Sequence, residues 1–130
     1  MPHAVISGPL DLEAWARAFR PETLARGRDV LRTVCVLVDS GGRAALVEAV
    51  AIEAGRKLPF YVKVSVHERG TFTVRVDPLT HVERSAGVKE LVAHVARSLL
   101  AFAPGAEVAR TNLVLFSGEA NDSSDAGSSP

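Results

Sequence analysis

The stretch Phe60-Tyr-Val-Lys-Val-Ser-Val-His-Glu-Arg-Gly-Thr-Phe-Thr-Val-Arg-Val-Asp77 alternates apolar and polar side chains on both sides of Glu68–Gly70. A period of two is typical of half-buried strands, so this stretch predicts two strands joined by a turn. Upstream, Thr33–Val38 and Arg43–Glu53 flank Asp39-Ser-Gly-Gly42, whose glycines suit a hairpin turn. Together these segments predict a four-stranded antiparallel meander with one apolar face.

Apolar residues at helical spacing predict helices on both sides of the meander. After Pro78, a long helix is expected from Val88 to Ala103, and it would cover the apolar face of the sheet. Near the N-terminus, Leu12, Trp15 and Phe19 form a helical stripe that Pro21 ends, and a second short helix is expected from Pro21 towards Leu31. The predicted fold class is therefore α+β, with the meander packed against a long C-terminal helix and short N-terminal helices.

The chain has 130 residues and no net charge, with 15 cationic and 15 acidic side chains, a length that suits one domain. We expect this domain over residues 1–116. Residues 117–130 are acidic and rich in Ser and Gly, which predicts a disordered tail. Because the tail contains Glu119, Asp122 and Asp125 and no cation, the predicted domain carries 15 cations against 12 acids and is mildly basic.

Cys35 is the single cysteine, so neither an internal disulfide framework nor a cysteine-based zinc finger is expected. We found no secretory signal and no apolar stretch long enough to span a membrane. These features favour a cytoplasmic protein without a membrane partner.

The segment Phe19-Arg-Pro-Glu-Thr-Leu-Ala-Arg-Gly-Arg-Asp-Val-Leu31, followed by a strand, a Gly-Gly turn and another strand, resembles the front half of a SWIM-type zinc finger domain. The helix Val88–Phe102 resembles the apolar helix that ends that site. The similarity covers about residues 10–103, and Arg26-Gly-Arg28 is its most specific piece. It implies an interaction module that contacts DNA or protein, as in SWI/SNF-type helicases.

The zinc ligands of that family are absent from this chain. The four corresponding positions hold Arg75, Asp77, Val88 and Glu90, none of them a cysteine or histidine. The resemblance therefore implies a degenerate SWIM scaffold with no metal, and we expect no cofactor.

The stretch Arg56–Arg75 carries an excess of cations over acids. On alternating strands, some of them would share the polar face with Tyr61, where an aromatic ring beside a cation suits nucleic acid. We therefore predict a non-catalytic module that binds nucleic acid, its contacts made by Arg56, Lys57, Tyr61, Lys63, Arg69 and Arg75.

Two alternatives stay open at this point. The first is a protein-binding or self-associating module, a possible homodimer, whose sheet edges pair with a partner. The second is an enzyme resembling the tautomerase superfamily, in which an N-terminal proline, here Pro2 after removal of Met1, is the general base. That activity requires Pro2 to be buried in a pocket near basic residues.

Overall fold

A computed structural model of the chain describes residues 1–116, except the side chain of Arg69; the predicted tail at 117–130 lies outside the described residues. One antiparallel sheet and two helices make up the domain. Their order along the chain is β1 (His3–Ser7), α1 (Leu12–Ala18), β2 (Glu22–Arg26), β3 (Asp29–Val38), β4 (Ala44–Glu53), β5 (Arg56–His67), a 3-10 helix (Glu68–Gly70), β6 (Thr71–Val76), α2 (Ala86–Phe102) and β7 (Glu107–Thr111).

The sheet contradicts the predicted four-stranded meander. It has seven strands in the order β2-β3-β4-β5-β6-β1-β7 and curls into an antiparallel half-barrel. Strand β1 pairs with β6 on one side and β7 on the other, so the first and last strands add to the same edge of the sheet. Because β7 follows α2, that helix is not the C-terminal element of the fold.

The predicted second helix at Pro21–Leu31 is also wrong. This segment forms a hairpin in which β2 pairs with the first half of β3. The two-residue turn Gly27-Arg28 joins them, and Gly27 has a φ of 61°, which a glycine adopts without strain. Pairing across this turn joins Leu24 with Leu31, and Leu31 is buried in the core.

The core lies between the inner face of the curled sheet and the two helices. Small residues of β4, including Ala45, Ala49 and Ala51, allow α2 to approach the sheet closely. A bulge in β3 at Val34 shifts the pairing with β4, and such a bulge increases the local twist that a curled sheet needs. The largest fully buried side chain is Trp15 of α1.

The N-terminus of α2 is capped from two directions. The Ser85 hydroxyl accepts from the Val88 amide at 3.2 Å, and the Glu53 carboxylate at the end of β4 accepts from the Gly87 amide at 2.7 Å. These bonds satisfy amide groups that have no partner within the helix, and they tie its start to the β4–β5 hairpin. Among residues 1–116, no helix is long and apolar enough to cross a membrane.

Candidate functional site

The outer face of the sheet, opposite the helices, carries a group of cations on neighbouring strands. Lys63 of β5 pairs directly with Arg75 of β6, and Arg75 pairs with His3 of β1. Arg110 of β7 pairs with Val5, two residues along β1 from His3, so it lies diagonally next to this row. We name His3, Lys63, Arg75 and Arg110 the basic patch.

The cations of the basic patch have no acidic partner. No ion pair involving Lys63, Arg75 or Arg110 occurs within residues 1–116. Like charges directly opposite one another weaken a pair of strands, so the Lys63–Arg75 pair lowers the stability of the sheet. An anion bound at the patch would relieve this repulsion.

Several acids of the domain make hydrogen bonds or ion pairs with groups outside the patch. Asp11, Asp39 and Glu53 accept hydrogen bonds from backbone amides. Glu83 and Glu90 form ion pairs with arginines far from the patch along the chain.

Tyr61 lies at the border of the basic patch, one row away from Lys63 on the same face. Its row also contains Glu48, its cross-strand partner on β4, and Asp77, whose amide donates to the Tyr61 carbonyl at 2.8 Å. Glu48 in turn accepts from the Cys35 thiol at 3.5 Å, and burial together with this carboxylate raises the pKa of Cys35. Tyr61 is therefore placed beside the cations of the patch and next to two acids.

Three of the predicted contact residues are not part of the patch: two lie apart from it, and the side chain of the third is outside the part of the chain that the structure describes. Arg56 starts β5 and forms an ion pair with Glu83, which raises the pKa of the arginine. Lys57 precedes Lys63 by six residues on the same strand, a distance of about 20 Å. Arg69 belongs to the 3-10 helix after β5, and its side chain is outside the described part of the chain.

His3 and Arg110 belong to the patch although neither was selected from the sequence pattern. Each lies in a strand of five residues, and they reach the patch only because β1 pairs with both β6 and β7. The alternation of β1 alone would have placed His3 and Val5 on one face, but not beside Arg75.

The two edges of the sheet bear on the self-association alternative. The edge strands β2 and β7 have five residues each, and each carries charged residues, among them Glu22 and Arg26 on β2 and Glu107 and Arg110 on β7. Short, charged edges are the usual means by which proteins prevent strand pairing with another chain. Strands β2 and β7 therefore favour pairing with a partner less than an open apolar edge would, whereas residues 34–38 of β3 extend beyond β2 and, within residues 1–116, have no strand partner on that side.

Pro2 is buried, as the tautomerase alternative requires. The carbonyl of the preceding Met1 accepts from His3 Nδ1 at 2.9 Å and from Asn112 Nδ2 at 2.8 Å. These bonds hold the start of the chain against the segment after β7. Pro2 is not among the residues that line four of the best-formed cavities within residues 1–116.

His94 of α2 is the histidine most affected by its surroundings. Its Nε2 lies 2.7 Å from Glu22 Oε1, and its side chain is 16% exposed. Burial lowers the pKa of His94 below its usual 6.5, and the nearby carboxylate of Glu22 offsets this only in part. At neutral pH the pair is therefore a neutral imidazole beside a carboxylate.

This lowered pKa predicts that acid destabilises the domain through His94. The imidazole of His94 binds a proton more readily in the unfolded chain than in the folded one. The contribution of His94 to the free energy of unfolding is therefore fully present above pH 6.5, and it decreases as the pH drops below that value. Urea unfolding at several pH values would measure this fall. The His94→Gln variant should show a smaller decrease in the free energy of unfolding below pH 6.5 than the parent, whereas the variant of the exposed His81, His81→Gln, should show the same decrease as the parent. If the two variants decreased equally, His94 would not be the group responsible.

No group of three or more His, Cys, Asp or Glu side chains that could hold a metal ion occurs in the described part of the chain. The residues that carried the SWIM resemblance, Phe19–Leu31, form the β2–β3 hairpin and the turn leading into it. Comparison with protein-family models, with curated proteins and with solved structures finds no match to this chain.

Proposed function

We propose that this protein is a non-catalytic module that binds single-stranded nucleic acid across the basic patch. One observation carries the proposal: Lys63, Arg75 and His3 form a continuous cross-strand row, without an acidic partner, on the face of the sheet opposite the helices. Phosphate contacts from lysine and arginine supply most of the affinity in sequence-independent binding. An extended, open row that contains the permanent cations Lys63 and Arg75 suits a phosphate backbone better than it suits a small anion.

The surroundings of the patch support a single strand rather than a duplex. A groove of B-DNA admits a helix or a two-stranded ribbon, whereas a sheet face suits unpaired bases that stack on an aromatic side chain. Tyr61 offers such a ring next to Lys63. Apolar side chains continue the outer face beyond it, with Leu46 opposite Lys63 and Leu37 opposite Leu46. Phosphates would lie along the basic patch, with the bases towards Tyr61 and the leucines.

This proposal predicts weak binding that depends strongly on salt. With the three permanent cations Lys63, Arg75 and Arg110 in contact, the logarithm of the association constant should fall with the logarithm of the salt concentration with a slope of about −2. Between about 50 and 200 mM salt the affinity should then fall by about 20-fold. Fluorescence anisotropy of a labelled oligothymidine of about 16 nucleotides, with a duplex of the same length alongside, measures both quantities.

Charge reversal within the patch is the sharper test. The double variant Lys63→Glu/Arg75→Glu should weaken binding by at least about tenfold, because each permanent cation supplies one phosphate contact. The matched control is Arg84→Glu/Lys89→Glu, which changes the net charge equally near the start of α2 and should bind like the parent. Equal loss in both variants would mean that overall charge, rather than the patch, is responsible.

Absence of binding to either oligonucleotide at low salt would overturn the proposal. Binding of a protein partner would then become the favoured function. A helicase as that partner is implied by the SWIM resemblance alone.

A further inference from the structure

A cavity of about 320 Å³ opens where the end of α1, the start of β2 and the C-terminal half of α2 meet. It lies on the helix side of the sheet, away from the basic patch. Its volume is in the range of small-molecule sites. Aromatic and small apolar side chains form most of its wall, and a few polar groups converge on it; the lining residues are Trp15, Ala18, Phe19, Arg20, Glu22, His94, Ser98, Ala101 and Phe102.

The polar groups of the cavity include one carboxylate beside the partly negative end of a helix. The carboxylate of Glu22 is 53% exposed and lies against His94, which is neutral at pH 7. The cavity also lies at the C-terminal end of α2, where helix carbonyls carry a partial negative charge. No basic residue in the last turn of α2 offsets that charge.

The one permanent cation among the lining residues is directed at backbone carbonyls rather than at Glu22. Arg20 Nη1 donates to the carbonyls of Arg17, Ala18 and Phe19 at 3.4, 3.3 and 3.0 Å. This guanidinium therefore satisfies the end of α1. Glu22 has no arginine or lysine partner among the ion pairs of the described residues.

The aromatic walls suit the same kind of ligand as the carboxylate. The rings of Trp15 and Phe19 meet edge to face with centroids 5.7 Å apart, and Phe102 is 39% exposed at the cavity. The faces of aromatic rings attract cations, and a carboxylate beside them adds a direct counterion. The Ser98 hydroxyl, which accepts from Trp15 Nε1 at 3.0 Å, keeps its own proton to donate.

We propose that this cavity binds a small organic cation, a primary ammonium that carries one apolar ring. The ammonium group contacts Glu22, and the ring packs between Phe19, Phe102 and the edge of Trp15. A carboxylate of the same shape is disfavoured, because it would meet Glu22 and the carbonyl end of α2. This site is separate from the basic patch and does not depend on the proposed nucleic-acid binding.

The single tryptophan of the chain lines the cavity, so its fluorescence reports ligand binding directly. The probes are 2-phenylethylammonium and two compounds of similar shape, neutral 2-phenylethanol and anionic 3-phenylpropanoate. At neutral pH the ammonium should bind at least about tenfold more tightly than the alcohol, and the carboxylate should bind most weakly. Equal or tighter binding of the carboxylate, or no response of Trp15 to any probe, would overturn the proposal.

Two variants locate the binding within the cavity. Glu22→Gln should weaken binding of the ammonium by about tenfold and leave the alcohol unchanged, whereas Glu13→Gln, on α1 outside the cavity, should change neither. Ala101→Phe, which fills the cavity from α2, should abolish binding of all three probes. Ammonium binding that survives both Glu22→Gln and Ala101→Phe would place the ligand elsewhere and contradict the assignment.

Discussion

Replacing Gly8 with alanine is expected to lower the free energy of unfolding by about 3 kcal/mol, through backbone strain and overpacking together. Gly8 joins β1 to α1 with a φ of 133°, a conformation that side chains other than glycine rarely adopt. A β-carbon there would lie 2.6 Å from the Cα of Ala106 and 2.8 Å from the carbonyl oxygen of Gly105. Both neighbours are backbone atoms, so the clash is relieved only if the two segments separate.

The control for this prediction is Gly55→Ala in the β4–β5 turn. Gly55 also has a positive φ, 76°, but a β-carbon there would meet no atom within 4 Å. Only the cost of the left-handed backbone remains, about 1 kcal/mol. Urea unfolding followed by the fluorescence of Trp15 measures both variants. Equal losses would show that close packing against Gly105 and Ala106 does not matter at Gly8.

Replacing Trp15 with alanine is expected to lower the free energy of unfolding by about 3–5 kcal/mol, a large share of the total for a domain of this size. Trp15 is 1% exposed, and α1 has only seven residues, too few to be helical on its own. Its attachment therefore depends on side chains that reach the core, chiefly Trp15 and Leu12. Urea unfolding followed by circular dichroism measures the loss.

Trp15→Phe separates the packing of the ring from its hydrogen bond. This variant keeps an aromatic ring in place and removes the bond to Ser98 Oγ, so it should cost about 1–2 kcal/mol. A Trp15→Ala loss no larger than that of Trp15→Phe would show that α1 contributes little to the core.

Regular alternation was the most reliable guide to the fold. Between Phe60 and Val76 the apolar residues point to the core and the polar ones to the outer face, because successive side chains of a strand lie on opposite sides. The alternation of β5 extends further back than expected, since Pro59 belongs to the strand. Strand β6 pairs with β5 only from Val62 onwards, so the side of Pro59 that lacks an N–H meets no partner strand.

The errors occurred where local patterns suited two structures. Pro21 is compatible with the first turn of a helix, and the apolar residues after it were too few to decide between a helix and a strand. The segment is a strand because it pairs with β3, where Leu24 gains a cross-strand partner in Leu31. Strands β1 and β7 were left out of the predicted sheet for a related reason: five residues carry little periodicity, and their partners are far away in the sequence.

The candidate site was predictable only in part. Tyr61, Lys63 and Arg75 were selected from the alternation of two adjacent strands, and the structure places all three on one face. Arg56 and Lys57 were selected from local charge alone, which says nothing about distance along a strand or about ion pairing. The cavity beside α2 was not foreseen, since His94 and Glu22 are brought together by tertiary packing across 72 positions of the chain.

The position of β1 has a consequence for how the chain folds during synthesis. This strand is synthesised before both of its neighbours in the sheet, about 70 residues ahead of β6 and about 100 residues ahead of β7. Until those neighbours are made, Ala4 and Ile6, which are fully buried in the finished domain, have no sheet to pack in. The β2–β5 hairpins can form from local contacts before β6 and β7 are made, and we expect β1, whose pairings are the most distant in sequence, to join the sheet late and slowly.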